Sequence, residues 1–137
     1  MIKYLTLAIV FILGSHGTQA QTAVQHDGPV ITFEKKSHDF GDIIQGEKVE
    51  YVFTFSNTGT EPLIITNVEV TCGCTTPKGW PRDPIPPGGK GELTVAFSTA
   101  GKIGRQNKPV IVVSNAVNSE GNRLSFSANI LEKSQAQ

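Results

Sequence analysis

Apolar and polar residues alternate with a period of two in three stretches of the chain. Val49, Tyr51, Phe53 and Phe55 alternate with Glu50, Thr54 and Ser56; Leu93, Val95 and Phe97 with Thr94 and Ser98; Leu124, Phe126, Ala128 and Ile130 with Ser125, Ser127 and Asn129. That is the signature of strands with one face in a core and one in water. Looser β-rich runs cover Val30 to Lys36, Leu63 to Thr71 and Pro109 to Ser114, the last apolar on both faces as a central strand would be. Between them stand Asn57-Thr58-Gly59, Pro86-Pro87-Gly88-Gly89, Gly101 to Gly104 and Ser119-Glu120-Gly121-Asn122, which carry the residue types that turns demand. No stretch has a helical period. Six or seven short strands in about 100 residues predict an all-β fold, an immunoglobulin-like sandwich of two antiparallel sheets with about seven strands. The expected domain spans residues 30–132, with a polar tail over 133–137, and Phe53, Phe55, Phe97 and Phe126 are expected to share its core.

The start of the chain follows a different pattern. One positive charge, Lys3, precedes the unbroken apolar run Leu5 to Leu13, and a polar stretch then ends in Thr18-Gln19-Ala20. The run is far shorter than the roughly 20 residues a membrane-spanning helix needs. Small residues at Thr18 and Ala20 fit a secretory cleavage site before Gln21, so residues 1–20 read as a signal peptide and 21–29 as a flexible arm. No cysteine stands near the cut to take a lipid. The expected mature protein is soluble, not inserted in a membrane, and periplasmic or secreted.

Removing residues 1–20 takes Lys3 and no acid, which leaves 11 basic against 12 acidic side chains on 117 residues. A near-neutral chain without a basic run lacks the electrostatic term that dominates nucleic-acid affinity, so nucleic acid is not expected as a partner. A chain of this length suits one domain, burying roughly 65% of its unfolded surface.

Both cysteines of the chain fall in Thr71-Cys72-Gly73-Cys74-Thr75, after the fourth strand run. They cannot form the cross-sheet staple of an antibody domain, which joins two distant strands. A local Cys72–Cys74 bridge is conceivable if Gly73 bends the chain, because positions i and i+2 of an extended strand lie near the upper limit for a disulfide. Closing so short a loop returns only about 1.6 kcal/mol on the chain-entropy formula. The alternative is a soft-metal site, since two thiolates one residue apart can hold Cu(I) or supply half of a zinc site. His26 in the arm and His38 in an expected loop do not stand at ligand-like spacings from the pair. Structural cysteines are the favoured reading, with no metal site and no cofactor, and a Cu(I) or redox role for Cys72 and Cys74 is the alternative.

Other motifs carry less. Asp39-Phe40-Gly41 spells a kinase triplet in a chain far too short for a kinase, and reads as a turn that drops Phe40 into the core. Pro87-Gly88-Gly89-Lys90-Gly91 lacks the spacing of a phosphate-binding loop and reads as a β-turn. Asp39 and Asp42 read as solvated loop acids, and no serine or cysteine has a credible histidine base, so no catalytic residue is expected. Trp80 lies in a proline-rich segment from Pro77 to Pro87 taken as a long loop. It is either an anchor for that loop or the candidate contact for a partner.

From Phe33 to Ile130 the chain resembles, nearly collinearly, the bacterial domain-of-unknown-function family 1573, itself similar to ASH and Hydin domains. The resemblance rests on His38-Asp39-Phe40-Gly41, Gly46-Glu47, Asn57-Thr58-Gly59, Pro62-Leu63-Ile64-Ile65, Cys72-Gly73-Cys74-Thr75, Pro86-Pro87-Gly88, Gly104 and Ser114-Asn115. It implies an exported β-sandwich of Gram-negative cell envelopes with no established activity. Its ASH-like relatives imply a non-enzymatic interaction module, and the expected partner is another envelope protein.

Overall fold

The structure is a computed structural model that describes residues 27–118 and 122–134. The expected signal peptide, its cleavage site, most of the arm and the end of the tail lie outside the described residues. Within them the chain forms eight strands and no α-helix: β1 (Ile31–Phe33), β2 (Ser37–Ile44), β3 (Lys48–Asn57), β4 (Ile65–Val70), β5 (Thr75–Gly79), β6 (Lys90–Ser98), β7 (Gly104–Ser114) and β8 (Arg123–Leu131). They make two four-stranded sheets, ordered β1-β3-β6-β5 and β2-β8-β7-β4. The fold is the expected immunoglobulin-like sandwich.

The alternating stretches became β3, β6 and β8, and their apolar faces close the sandwich. In β3 and β6 the register runs without a break from Lys48 opposite Ser98 to Ser56 opposite Lys90. Phe53, Phe55, Leu93 and Phe97 therefore all face the second sheet, at 1% exposure or less. Phe126 of β8 meets Phe97 with ring centroids 5.1 Å apart. All four phenylalanines lie in one core, each contributing roughly 1.5–3 kcal/mol of burial. Gly91 is needed by its neighbour: a Cβ there would sit 2.5 Å from the ring of Phe55.

Two strands depart from the sequence reading. Asp39-Phe40-Gly41 is not a turn but part of β2, and His38 stands on the same strand rather than in a loop. The register against β8 shifts between Asp39 and Asp42, and Gly41 takes a positive φ of 72° there, as a bulge requires. Phe40 does pack against the core. This β2–β8 pair is parallel, whereas the other pairs are antiparallel. Thr75 to Gly79, read as the end of one run and the start of a loop, is β5. Pro77 is tolerated because β5 is an edge strand, and the register shifts between Pro77 and Gly79.

Buried polar side chains tie the loops. Asn57, fully buried, accepts from the backbone N–H of Val30 and Gly59 through Oδ1 and donates through Nδ2 to the carbonyls of Glu61 and Ile85. Thr99, also fully buried, donates to the carbonyl of Glu47 at 2.6 Å and accepts from Gly46 N–H at 2.9 Å. Each satisfies donors and acceptors that would otherwise be buried unpaired.

Candidate functional site

β4 ends at Val70 in the second sheet and β5 begins at Thr75 in the first, so Thr71 to Cys74 crosses between the sheets. The crossing is a tight turn, closed by the N–H of Thr75 donating to the carbonyl of Cys72 at 3.1 Å. The turn draws the two Cα atoms to 5.1 Å, well inside disulfide range, and Cys72 and Cys74 are bonded. The backbone N–H of Cys74 points at Cys72 Sγ, 3.1 Å away, and the Thr75 hydroxyl lies 3.9 Å from Cys74 Sγ. Cys74 is pinned to the sheet by its carbonyl, which accepts from Ser98 N–H at 2.8 Å. In the bridged form neither sulfur is a thiolate, so metal binding would require reduction first. Among the described residues no three His, Cys, Asp or Glu side chains gather as a metal site. His26 lies outside the described residues, and His38 stacks on Tyr51 with centroids 3.7 Å apart.

Beside the bridge, the outer face of the first sheet sinks into a shallow depression of about 360 Å³. Gly73 and Cys74 line it on the side of the bridge, and it is also lined by the outer-face residues Lys48 and Glu50 of β3, Ala96 and Ser98 of β6, and Thr76 and Lys78 of β5. These residues alternate with the core positions of their strands and so project outward. Small Ala96 in the middle strand leaves the floor low. Lys78 pairs with Glu50, while among the described residues Lys48 enters no ion pair.

The opposite side of β3 is open. β1 pairs with β3 from Ile31 opposite Asn57 to Phe33 opposite Phe55, adds one bond from Glu34 N–H to the carbonyl of Thr54, and then departs for β2. Asn57 N–H donates to Gly89 and Thr99 N–H to Glu47, so odd positions of β3 direct their backbone groups towards β6. Even positions direct theirs the other way, since the carbonyl of Thr54 meets β1. Among the described residues no strand meets Lys48, Glu50 and Val52 on that side. Where β1 departs, Glu34, Lys35, Tyr51, Val52, Phe53 and Thr54 line a notch of about 160 Å³. The sequence reading missed this edge. Val52 was its one visible sign: an apolar residue on the polar side of an alternating strand, 42% exposed in the structure.

The other singled-out residues lie elsewhere. Trp80 follows β5 and is half-buried against the core, with the Arg82 guanidinium 3.9 Å above its ring. Its Nε1 is enclosed and finds no acceptor among the described residues. Asp39 and Asp42 are on β2, not in a loop: Asp39 accepts from Gly41 N–H at 2.9 Å and pairs with Arg105 at 3.0 Å, and Asp42 accepts from Asn129. The Gly41 N–H and then Arg105 hold the Asp39 carboxyl below the usual carboxylate range. Burial, and then Lys35, push His38 below the ordinary histidine value, against a weaker opposing pull from Asp39. Pro86 to Gly89 is a β-turn, closed by Gly89 N–H on the carbonyl of Pro86.

The family model for DUF1573, described as a protein of unknown function, matches residues 31–130. The chain belongs to this family. No curated protein matches the sequence. Among solved structures, the DUF1573 chain is similar to a protein of unknown function from Porphyromonas gingivalis W83, at 22% identity and a TM-score of 0.64 over 82% of this chain and 51% of that one. It thus spans about half the length of that protein. It is also similar to the ASH/PapD-like domain 7 of human CEP192, at 13% identity and a TM-score of 0.57 over 95% and 99% of the two chains. A CARDB domain from Pyrococcus furiosus, solved in complex with di-metal ions, matches at 16% identity and a TM-score of 0.55, over 80% and 95%. At these identities the likeness is one of fold.

Proposed function

We propose that this DUF1573 domain is an exported, non-enzymatic binding module of the cell envelope, and that it takes an extended segment of a partner protein onto the open part of β3. Export to the periplasm is supported by Lys3, the short apolar run and the small residues before Gln21. The observation that carries the binding reading is the row of backbone groups at Lys48, Glu50 and Val52, unpaired among the described residues, beside the notch. An added strand would gain affinity from those groups and specificity from the side chains it sets into the notch. Lys48 and Glu50 place charge along the edge, which discourages indiscriminate pairing with other strands.

A photo-crosslinking residue at Lys35, which lines the notch, with a control at Ser127 on the outer face of the other sheet, tests the reading in intact cells. The expected result is a discrete crosslinked partner from position 35 alone, lost when Val52→Pro, which removes an edge N–H but no ladder bond, is added. Equal crosslinking from position 127, or capture indifferent to Val52→Pro in a variant of unchanged circular dichroism, would refute it. Mass spectrometry of the native protein tests export: the expected form starts at Gln21 without an acyl increment.

A further inference from the structure

We propose that the Cys72–Cys74 bridge is a thiol–disulfide exchange site that oxidises a pair of thiols on an incoming peptide. The bridge lies off the β3 edge and shares only Lys48 with it, and the glutathione assay needs no partner on that edge. Three features of the bridge point to exchange rather than to structural stapling. It closes a loop of three residues, so on the chain-entropy account it constrains little of the unfolded chain. It is half-exposed at the rim of the depression on the outer face of the first sheet, where an extended peptide can approach. Its two sulfurs are also unequal. The N–H of Cys74 points at Cys72 Sγ, which stabilises a thiolate there, whereas Cys74 is the cysteine that lines the depression.

That inequality sets the direction of attack, because exchange is faster when the departing thiol has the lower pKa. A peptide thiolate in the depression attacks Cys74 Sγ. The Cys72–Cys74 bond breaks, its electron pair leaves on Cys72 Sγ beneath the Cys74 N–H, and a mixed disulfide joins Cys74 to the peptide. The peptide's second thiolate attacks its own sulfur in that mixed disulfide and releases Cys74 as a thiolate, towards which the Thr75 hydroxyl can turn. The two thiolates take up the two protons given up by the peptide. Two thiols become a disulfide, the domain's disulfide becomes two thiols, and no other oxidant enters. Lys48, free of any ion pair among the described residues, favours the incoming thiolate. A Cβ at Gly73 would meet nothing within 4 Å, so this glycine fills no packing need and leaves the rim low.

The test uses the mature folded protein in glutathione redox buffers, with acid quenching, alkylation and mass spectrometry. In millimolar reduced glutathione the bridge is expected to open within minutes and to re-form with added glutathione disulfide, with unchanged circular dichroism throughout. At a fixed glutathione ratio, Cys74 in the Cys72→Ser variant should carry bound glutathione about fivefold more than Cys72 in the Cys74→Ser variant, since one thiolate is stabilised and the other faces the depression. Lys48→Glu should slow opening several-fold. A bridge that resists glutathione for hours, or opens only as the β-sheet signal is lost, would overturn the proposal. Equal glutathionylation of the two single-cysteine variants would do the same.

Discussion

The middle of the first sheet and its β5 edge are built differently. β3 and β6 pair without interruption from Lys48 to Ser56, and their inward residues interlock with Phe126 across the sandwich. β5 pairs with the same β6 through a shifted register, contains Pro77 and Gly79, and buries only Thr75. One region supplies the packing energy and the other supplies the disulfide turn and the Trp80–Arg82 contact, while the depression lies across both. Segregation of this kind lets an edge open or exchange without loss of the core, because local stability follows local packing. The open length of β3 makes the same point within one strand, since the odd positions are committed to β6 and the even ones are left over.

The comparison breaks first at the core. Phe53→Ala and Phe97→Ala should each cost about 3–5 kcal/mol in urea unfolding, since each empties a fully buried site. A loss below about 1 kcal/mol would mean the strand faces are wrongly assigned. Asn57→Ala should follow at roughly 2–3 kcal/mol, because it strands backbone groups that its amide now satisfies. The double change of Cys72 and Cys74 to Ala, measured by the same unfolding curves, should cost about 1.6 kcal/mol or less. A larger loss would place the disulfide turn in the stabilising half of the molecule.

The smallest effects are in pH dependence. The folded-state pKa of His38 is lowered from 6.5, chiefly by burial. Between 6.5 and its lower folded value the unfolded chain binds more proton, so stability is present above 6.5 and falls as pH drops through that window. His38→Phe should flatten this slope, and NMR titration of the imidazole should give a midpoint below 6.5. Asp39 is also lowered, from 3.8, so its contribution is present above that value and lost as acid protonates it in the folded state. Asp39→Asn should remove that acid limb.

Strands with strict alternation were legible because each position reports its own face, and β3, β6 and β8 are of this kind. β2 was not, because its bulge at Gly41 breaks the period where a turn would break it. β5 was not, because Pro77 argues against a strand except at an edge, and an edge is a property of the assembled sheet. β7 begins at Gly104, ahead of the apolar run that starts at Pro109. The proline fits because β4 pairs only from Val110 onward. The cysteine pair was visible, but the turn that brings it to 5.1 Å depends on β4 and β5 lying in different sheets. The open edge depends on where β1 stops pairing, which no local pattern encodes.

Residue-resolved amide hydrogen exchange of the mature domain tests that open edge most directly. Tyr51 and Phe53 direct their N–H groups to β6 and should be among the slowest in the protein, while Glu50 and Val52, on the same strand, should exchange orders of magnitude faster. Protection at Glu50 and Val52 equal to that at Tyr51 and Phe53 would show the edge to be covered, and would contradict the account.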